Sequence, residues 1–231
     1  MDVLVSSIVK CFSLVSGLDP YLLEVAWLTI WLSLASSAVS FAVGVPLGFF
    51  ISEAEFPLKR YVVSSINTGM GLPPVVVGLV VALLMGRSGV FGGAGLLYTK
   101  TAIFISQVMI AFPLACGLTI AACAEIPENL KLTLRAFGAG RLTTVYYFSR
   151  QLRSTLPAIL LAAFGSVVSE VGAVMMVGGN ILGETRVLTT AIVSEVRVGN
   201  YDVALAFSIV LLAITFAVNH IVVSITGRNK S

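Results

Sequence analysis

Five stretches of the chain are apolar almost without interruption, at about 22–51, 61–85, 101–123, 155–177 and 201–226, and the polar residues collect between them. A run of at least ~18 apolar residues predicts a transmembrane helix, because a segment in lipid must satisfy its own backbone hydrogen bonds. The pattern therefore predicts five spans. The first carries Trp27 and Trp31 near one end, where aromatic side chains anchor at the membrane interface. The second is interrupted by Pro73-Pro74. Residues 3–18 are apolar but short, with Lys10 inside the stretch and no small-residue cleavage site after it. They predict an interfacial helix rather than a signal peptide, ended by Gly17-Leu18-Asp19-Pro20.

Two polar segments predict structure of their own. Within 124–154, residues 127–137 place apolar side chains at helical spacing, Gly138-Ala139-Gly140 breaks the pattern, and 142–152 resumes it. Two short helices joined by glycines can project beyond the bilayer and dock in a partner's groove. A helical hairpin without a partner is the plainer alternative. Residues 178–200 are too polar to cross and too long for a tight turn, with an amphipathic helical pattern over 186–193. A re-entrant loop over a pathway and a plain surface helix both fit this segment, since irregular backbone at membrane depth must be buried in protein or line a wet cavity.

Composition narrows the class. Hydrophobic residues make up 58% and charged residues 11%, with a mean hydropathy of +1.02, against about a quarter charged in soluble domains. At 231 residues the chain predicts one integral membrane domain and no added catalytic domain. Its expected organisation is an amino-terminal interfacial segment over 1–20, a transmembrane domain over 21–227 and a tail over 228–231. The net charge of +3 reports topology rather than nucleic-acid binding. Nine Lys and Arg lie on one side, in the 52–60 turn, the 124–154 loop and the tail, against five on the other. The positive-inside rule then puts the amino terminus outside and the large loop and carboxyl terminus in the cytoplasm. Cys11, Cys116 and Cys123 sit in or beside apolar stretches without C-x-x-C spacing, and read as small core residues. His220, near the end of the last span, reads as an interfacial side chain.

No catalytic constellation is present: there is no G-x-x-x-x-G-K-[ST] and no H-E-x-x-H. A membrane enzyme or assembly factor would need a cluster of polar catalytic residues that the sequence lacks. Gly69-Met70-Gly71-Leu72-Pro73-Pro74 removes backbone donors inside the second span. The result is a packing kink, which helix physics favours, or an unwound stretch where a ligand approaches the backbone. Glu170, inside the fourth span, faces a cavity or a partner, because a carboxylate in lipid is costly. It reads as structural or gate-forming rather than as a ligand for an anion.

These stretches carry a resemblance. The 124–157 loop resembles the "EAA" coupling loop of ABC importer permeases, with Gly138 at the glycine and Ala139 at the alanine that follows it. Leu132-Thr133-Leu134 stand where that family has E-A-A, and Pro157 lies further downstream than usual. Leu72-Pro73-Pro74-Val75-Val76-Val77-Gly78, Gly86-Arg87-Ser88-Gly89, the block 169–181 and the block 185–192 resemble the oxyanion branch, in particular tungstate permeases; molybdate permeases share the proline-rich second span. The resemblance implies an all-α integral membrane protein with a MetI-like, type I permease core. It further implies a homodimer in a prokaryotic cell membrane, two copies of a separate ATPase that uses ATP and Mg, an extracytoplasmic oxyanion-binding protein, and no cofactor on this chain. The expected cargo is tungstate, with molybdate, sulfate or an amino acid as alternatives. By the same resemblance Arg135, Ala136, Phe137, Gly138, Ala139 and Gly140 make the ATPase contact, and Pro73, Pro74, Glu170, Met175, Met176 and Asn180 line the pathway or its gate. No carboxyl-terminal regulatory domain is expected.

Overall fold

The computed structural model describes residues 19–227, together with positions 8, 9, 12, 13, 16 and 17. The interfacial helix expected over 3–18 and the tail over 228–231 fall largely outside the described residues. Every regular element described is helical. Three helices are long and apolar enough to cross a membrane singly: α1 (Pro20–Glu53), α4 (Lys100–Ala124) and α10 (Tyr201–Gly227). These are the first, third and fifth predicted spans.

The other two spans are not rods. The second is α2 (Lys59–Met70) followed by α3 (Pro74–Met85), with axes bent by 102°. Pro73 and Pro74 supply no backbone donor, so the helical ladder stops and restarts there. The single helix expected over 155–177 is instead α7 (Leu156–Val168) and α8 (Gly172–Gly178), separated at 169–171. At 1.5 Å per residue α7 reaches only about 20 Å, short of the ~30 Å hydrocarbon core. Between α4 and α7 the predicted hairpin is α5 (Glu128–Ala136) and α6 (Arg141–Gln151), and α6 meets α7 at 81°. The amphipathic 186–193 pattern becomes α9 (Leu188–Arg197). It is not an isolated surface helix: Leu188 and Ala191 are buried with Leu22, Val25, Ala26 and Phe207.

The centre of the fold is α1 against α4, its most extensive helix contact. On α1, Thr29, Ser33, Ser36, Ser37, Ser40, Gly44 and Gly48 are buried. Trp27, Trp31, Leu34, Val43, Leu47 and Phe50 are exposed on the protein surface. This reverses the soluble pattern, because lipid is as apolar as leucine and close helix contact comes from small residues. A Cβ on Gly44 would stand 3.1 Å from the Ala115 Cβ, and one on Gly48 would stand 2.7 Å from the Cys116 carbonyl oxygen. Thr29 and Ser36 donate within the helix to the Val25 and Leu32 carbonyls at 2.7 Å each, while Ser40 donates across to the Val108 carbonyl of α4 at 3.5 Å. Cys116 and Cys123 are buried as expected; Cys11 lies outside the described residues. His220 is exposed and stacks on Phe216.

Candidate functional site: a hairpin and two broken helices

The hairpin is built around one left-handed residue. At the end of α5 the Phe137 amide donates to the Thr133 carbonyl (3.1 Å), and the Ala139 amide reaches back to Leu134 (2.9 Å). This Schellman-type ending requires a left-handed residue between them, and Gly138 has φ +69. Ala139 packs against the core that holds Leu134, the apolar contact that accompanies such a cap. Gly140 then starts α6, its carbonyl accepting from the Thr144 amide at 3.0 Å.

The hairpin's inner face is fixed to the rest of the fold. Leu134, Phe148 and Leu152 are buried with Val45 and Phe49 of α1 and Cys123 of α4. Its outer face is open: Phe137 is 86% exposed and Leu142 is 88% exposed. A cleft of about 530 Å³ lies inside the turn, walled by Leu130, Thr133, Phe137 and Tyr147 and floored by Gly138 and Ala139. Of the six residues expected to touch a partner, Ala136, Phe137, Gly138 and Gly140 are exposed and Ala139 is half-buried. The side chain of Arg135 lies outside the described residues. Two exposed apolar side chains on a rigid, anchored turn suit a helix-in-groove contact.

The two broken helices meet each other. A Cβ on Gly78 of α3 would stand 2.5 Å from the Ala173 Cα of α8, and one on Gly172 would stand 2.4 Å from Val75. The α3 and α8 backbones therefore touch without intervening side chains. Beside the α2–α3 bend is a cavity of about 250 Å³, lined by Gly69, Gly71, Pro73 and Pro74, by Ile110 and Leu114 of α4, and by Ser166 of α7. The bend therefore borders a cavity.

Glu170 sits in the second break, 8% exposed. Its carboxylate accepts from the Ala173 amide at 2.8 Å, so it caps the start of α8. Its backbone carbonyl accepts from the Thr189 hydroxyl at 2.9 Å. Met175 and Met176 are half-buried further along α8. Asn180, with φ +53, ends the same stretch; its amide donates to the Ser194 hydroxyl, and Arg186 reaches its carbonyl at 3.5 Å and the Tyr21 hydroxyl at 2.9 Å. Of the six expected pathway residues, only Pro73 and Pro74 line the cavity at the bend. Glu170, Met175, Met176 and Asn180 are not among its lining residues.

Sequence reasoning missed Gly78, Gly172 and Ala173 as the contact between the broken helices. The available signal was small residues inside apolar runs, which marks close helix approach in membranes. No group of three or more metal-ligating side chains occurs among the described residues.

Comparison with known proteins accords with this architecture. Residues 44–229 match the family described as binding-protein-dependent transport system inner membrane component. The chain is 36% identical to the tungstate uptake system permease protein TupB of Peptoclostridium acidaminophilum, over 97% of this chain and 99% of that protein. A chain of the MetNI methionine ABC transporter, solved in inward-facing conformations, superposes with a TM-score of 0.70 at 20% identity, covering 90% of this chain and 97% of that one. A chain of a bacterial alginate ABC transporter, solved in complex with an alginate pentasaccharide-bound periplasmic protein, gives a TM-score of 0.74 at 20% identity, covering 93% and 83%. At such identities these structures share the fold.

Proposed function

The chain belongs to the family of binding-protein-dependent transport system inner membrane components, and on that premise we propose that it forms the pore of an ATP-driven importer whose cargo is the oxyanion tungstate. It is an ABC importer permease, a multi-pass transport component rather than an enzyme. The observation that carries the choice of cargo is the likeness to the tungstate permease, which extends over 97% of this chain and 99% of that protein.

Two copies of the chain line one pathway. Two ATPase subunits, which hold the ATP and Mg, engage the hairpins, and a substrate-binding protein delivers the anion from outside. The structure of the alginate transporter with its periplasmic protein supports that partner by analogy of fold. The ATPase contact is the turn 135–140, supported by its rigid cap and outward Phe137. When the ATPase dimer closes, the hairpins move with it, and their anchorage on α1 and α4 through Phe148 and Leu152 carries the motion into the membrane. The pathway passes the two breaks, where Pro73 and Pro74 border the cavity and Glu170 holds the start of α8; Met175 and Met176 on α8 and Asn180 just beyond it extend it.

The test is elemental analysis of cells lacking this chain against complemented cells, grown with equal trace tungstate and molybdate. Selective loss of tungsten is the expected result. Selective loss of molybdenum reassigns the cargo to molybdate, and no change in either element overturns both and brings sulfate and the other solutes forward.

A further inference from the structure

We propose that the groove between α1 and α4 at the Pro20 end holds one acyl chain of an anionic phospholipid, with the lipid phosphate on Lys100. The inference rests on the chain spanning a bilayer and not on which solute it carries.

The register of the two helices sets the depth of this groove. Ser36 meets Gln107, Gly44 meets Ala115, and Gly48 meets Thr119, so α1 and α4 run parallel at a constant offset of 71 residues. Trp31 is therefore level with the first turn of α4. That helix, 25 residues long, reaches about 37 Å, slightly more than the ~30 Å hydrocarbon core. Its first turn accordingly lies at one membrane boundary. Exposed Trp31, and Trp27 one turn further out, stand at the level where tryptophan prefers the headgroups.

From that boundary a groove of about 460 Å³ opens on the outer surface of the helix pair. Trp31 and Phe104 wall it, and Ala35 and Ala38 leave the space by their short side chains. Its body is apolar. The polar groups are at its rim, Lys100 and Thr101, both exposed. Among the described residues no ion pair engages the Lys100 ammonium, which stands at the positive end of the α4 dipole. An apolar slot at acyl depth with an unneutralised cation at phosphate depth matches an anionic phospholipid at both ends. A second copy of the chain is the competing occupant of this groove, and an Ala38→Cys variant separates the two.

The assembled transporter, purified with its ATPases, is examined by native mass spectrometry after delipidation and titration with phosphatidylglycerol or phosphatidylcholine. Wild type is expected to retain one phosphatidylglycerol per copy of this chain, and Ala38→Trp, which fills the slot, none. Lys100→Gln keeps a lipid but loses its preference for phosphatidylglycerol by about fivefold, the weight of one lysine at an anionic surface. Equal retention by wild type and Ala38→Trp overturns the proposal, as does a disulfide between two copies of an Ala38→Cys variant. Should Ala38→Trp fail to assemble, an unchanged preference in Lys100→Gln overturns it.

Discussion

Gly138 and Glu170 each hold one local geometry on which a larger element depends, and each can be tested by a pair of substitutions. At Gly138 a Cβ would meet nothing within 4 Å, so any penalty there comes from its φ of +69. A β-branched residue pays about 1–2 kcal/mol in that region, while asparagine tolerates it. Gly138→Val is therefore expected to reach the membrane in normal amounts yet lose uptake, with Gly138→Asn keeping most of it. Wild-type uptake by the valine variant would remove the turn from the coupling contact. At Glu170 the cap on Ala173 needs an acceptor oxygen, not a charge. Glu170→Gln should melt close to wild type, whereas Glu170→Ala loses about 1 kcal/mol, the usual worth of a helix cap. Equal loss in both variants, read by thermal unfolding in detergent, would mean that the charge itself is required.

At the scale of elements, the two broken spans differ from each other in what sets them. The α2–α3 bend is set by chain chemistry, since two prolines withhold two amides, whereas the α3–α8 contact is set by the absence of side chains at Gly78 and Gly172. Pro73→Ala and Pro74→Ala restore donors at a bend bordering a cavity, and are expected to reduce uptake with little change in the amount of folded protein. Gly78→Ala forces a methyl to within 2.5 Å of the Ala173 Cα, an overpacking worth about 1–3 kcal/mol, so its thermal stability falls. Loss of folded protein in the proline variants would return the bend to a packing role. The same contrast explains what was legible in the sequence. Hydropathy located α1, α4 and α10 because length and apolarity suffice for a straight span. The prolines announced the first break, and Gly138 and its neighbours announced the hairpin turn. The break at 169–171 has no proline, and averaging hydropathy across it hides a cap made by one carboxylate. The seating of α9 was undecided because its partners on α1, Leu22, Val25 and Ala26, are remote in sequence. Likewise the 71-residue register of α1 on α4 depends on pairs such as Gly44 and Ala115, which no local pattern couples.

For the whole molecule, the ends of the bundle are distinguished by what they present. The hairpin, with outward Phe137 and Leu142, lies where α1 and α4 end, as its burial against Phe49 and Cys123 requires. At the other end Leu182 and Arg186 gather beside Pro20 and Tyr21 around a cleft of about 480 Å³. On the positive-inside rule the excess of Lys and Arg in the hairpin predicts that this end faces the cytoplasm, where ATP is available. Single cysteines test the assignment in a chain whose Cys11, Cys116 and Cys123 are replaced by alanine. Leu182→Cys, at a position 61% exposed, should react with a membrane-impermeant maleimide in intact cells. Leu142→Cys, at a position 88% exposed, should react only after the membrane is opened. The reverse pattern would turn the hairpin away from ATP, and a hairpin facing outward has no ATPase to engage. Orientation and coupling therefore stand or fall together, because the exposed Phe137 and Leu142 on the turn that Gly138 makes are the contact proposed for the ATPase.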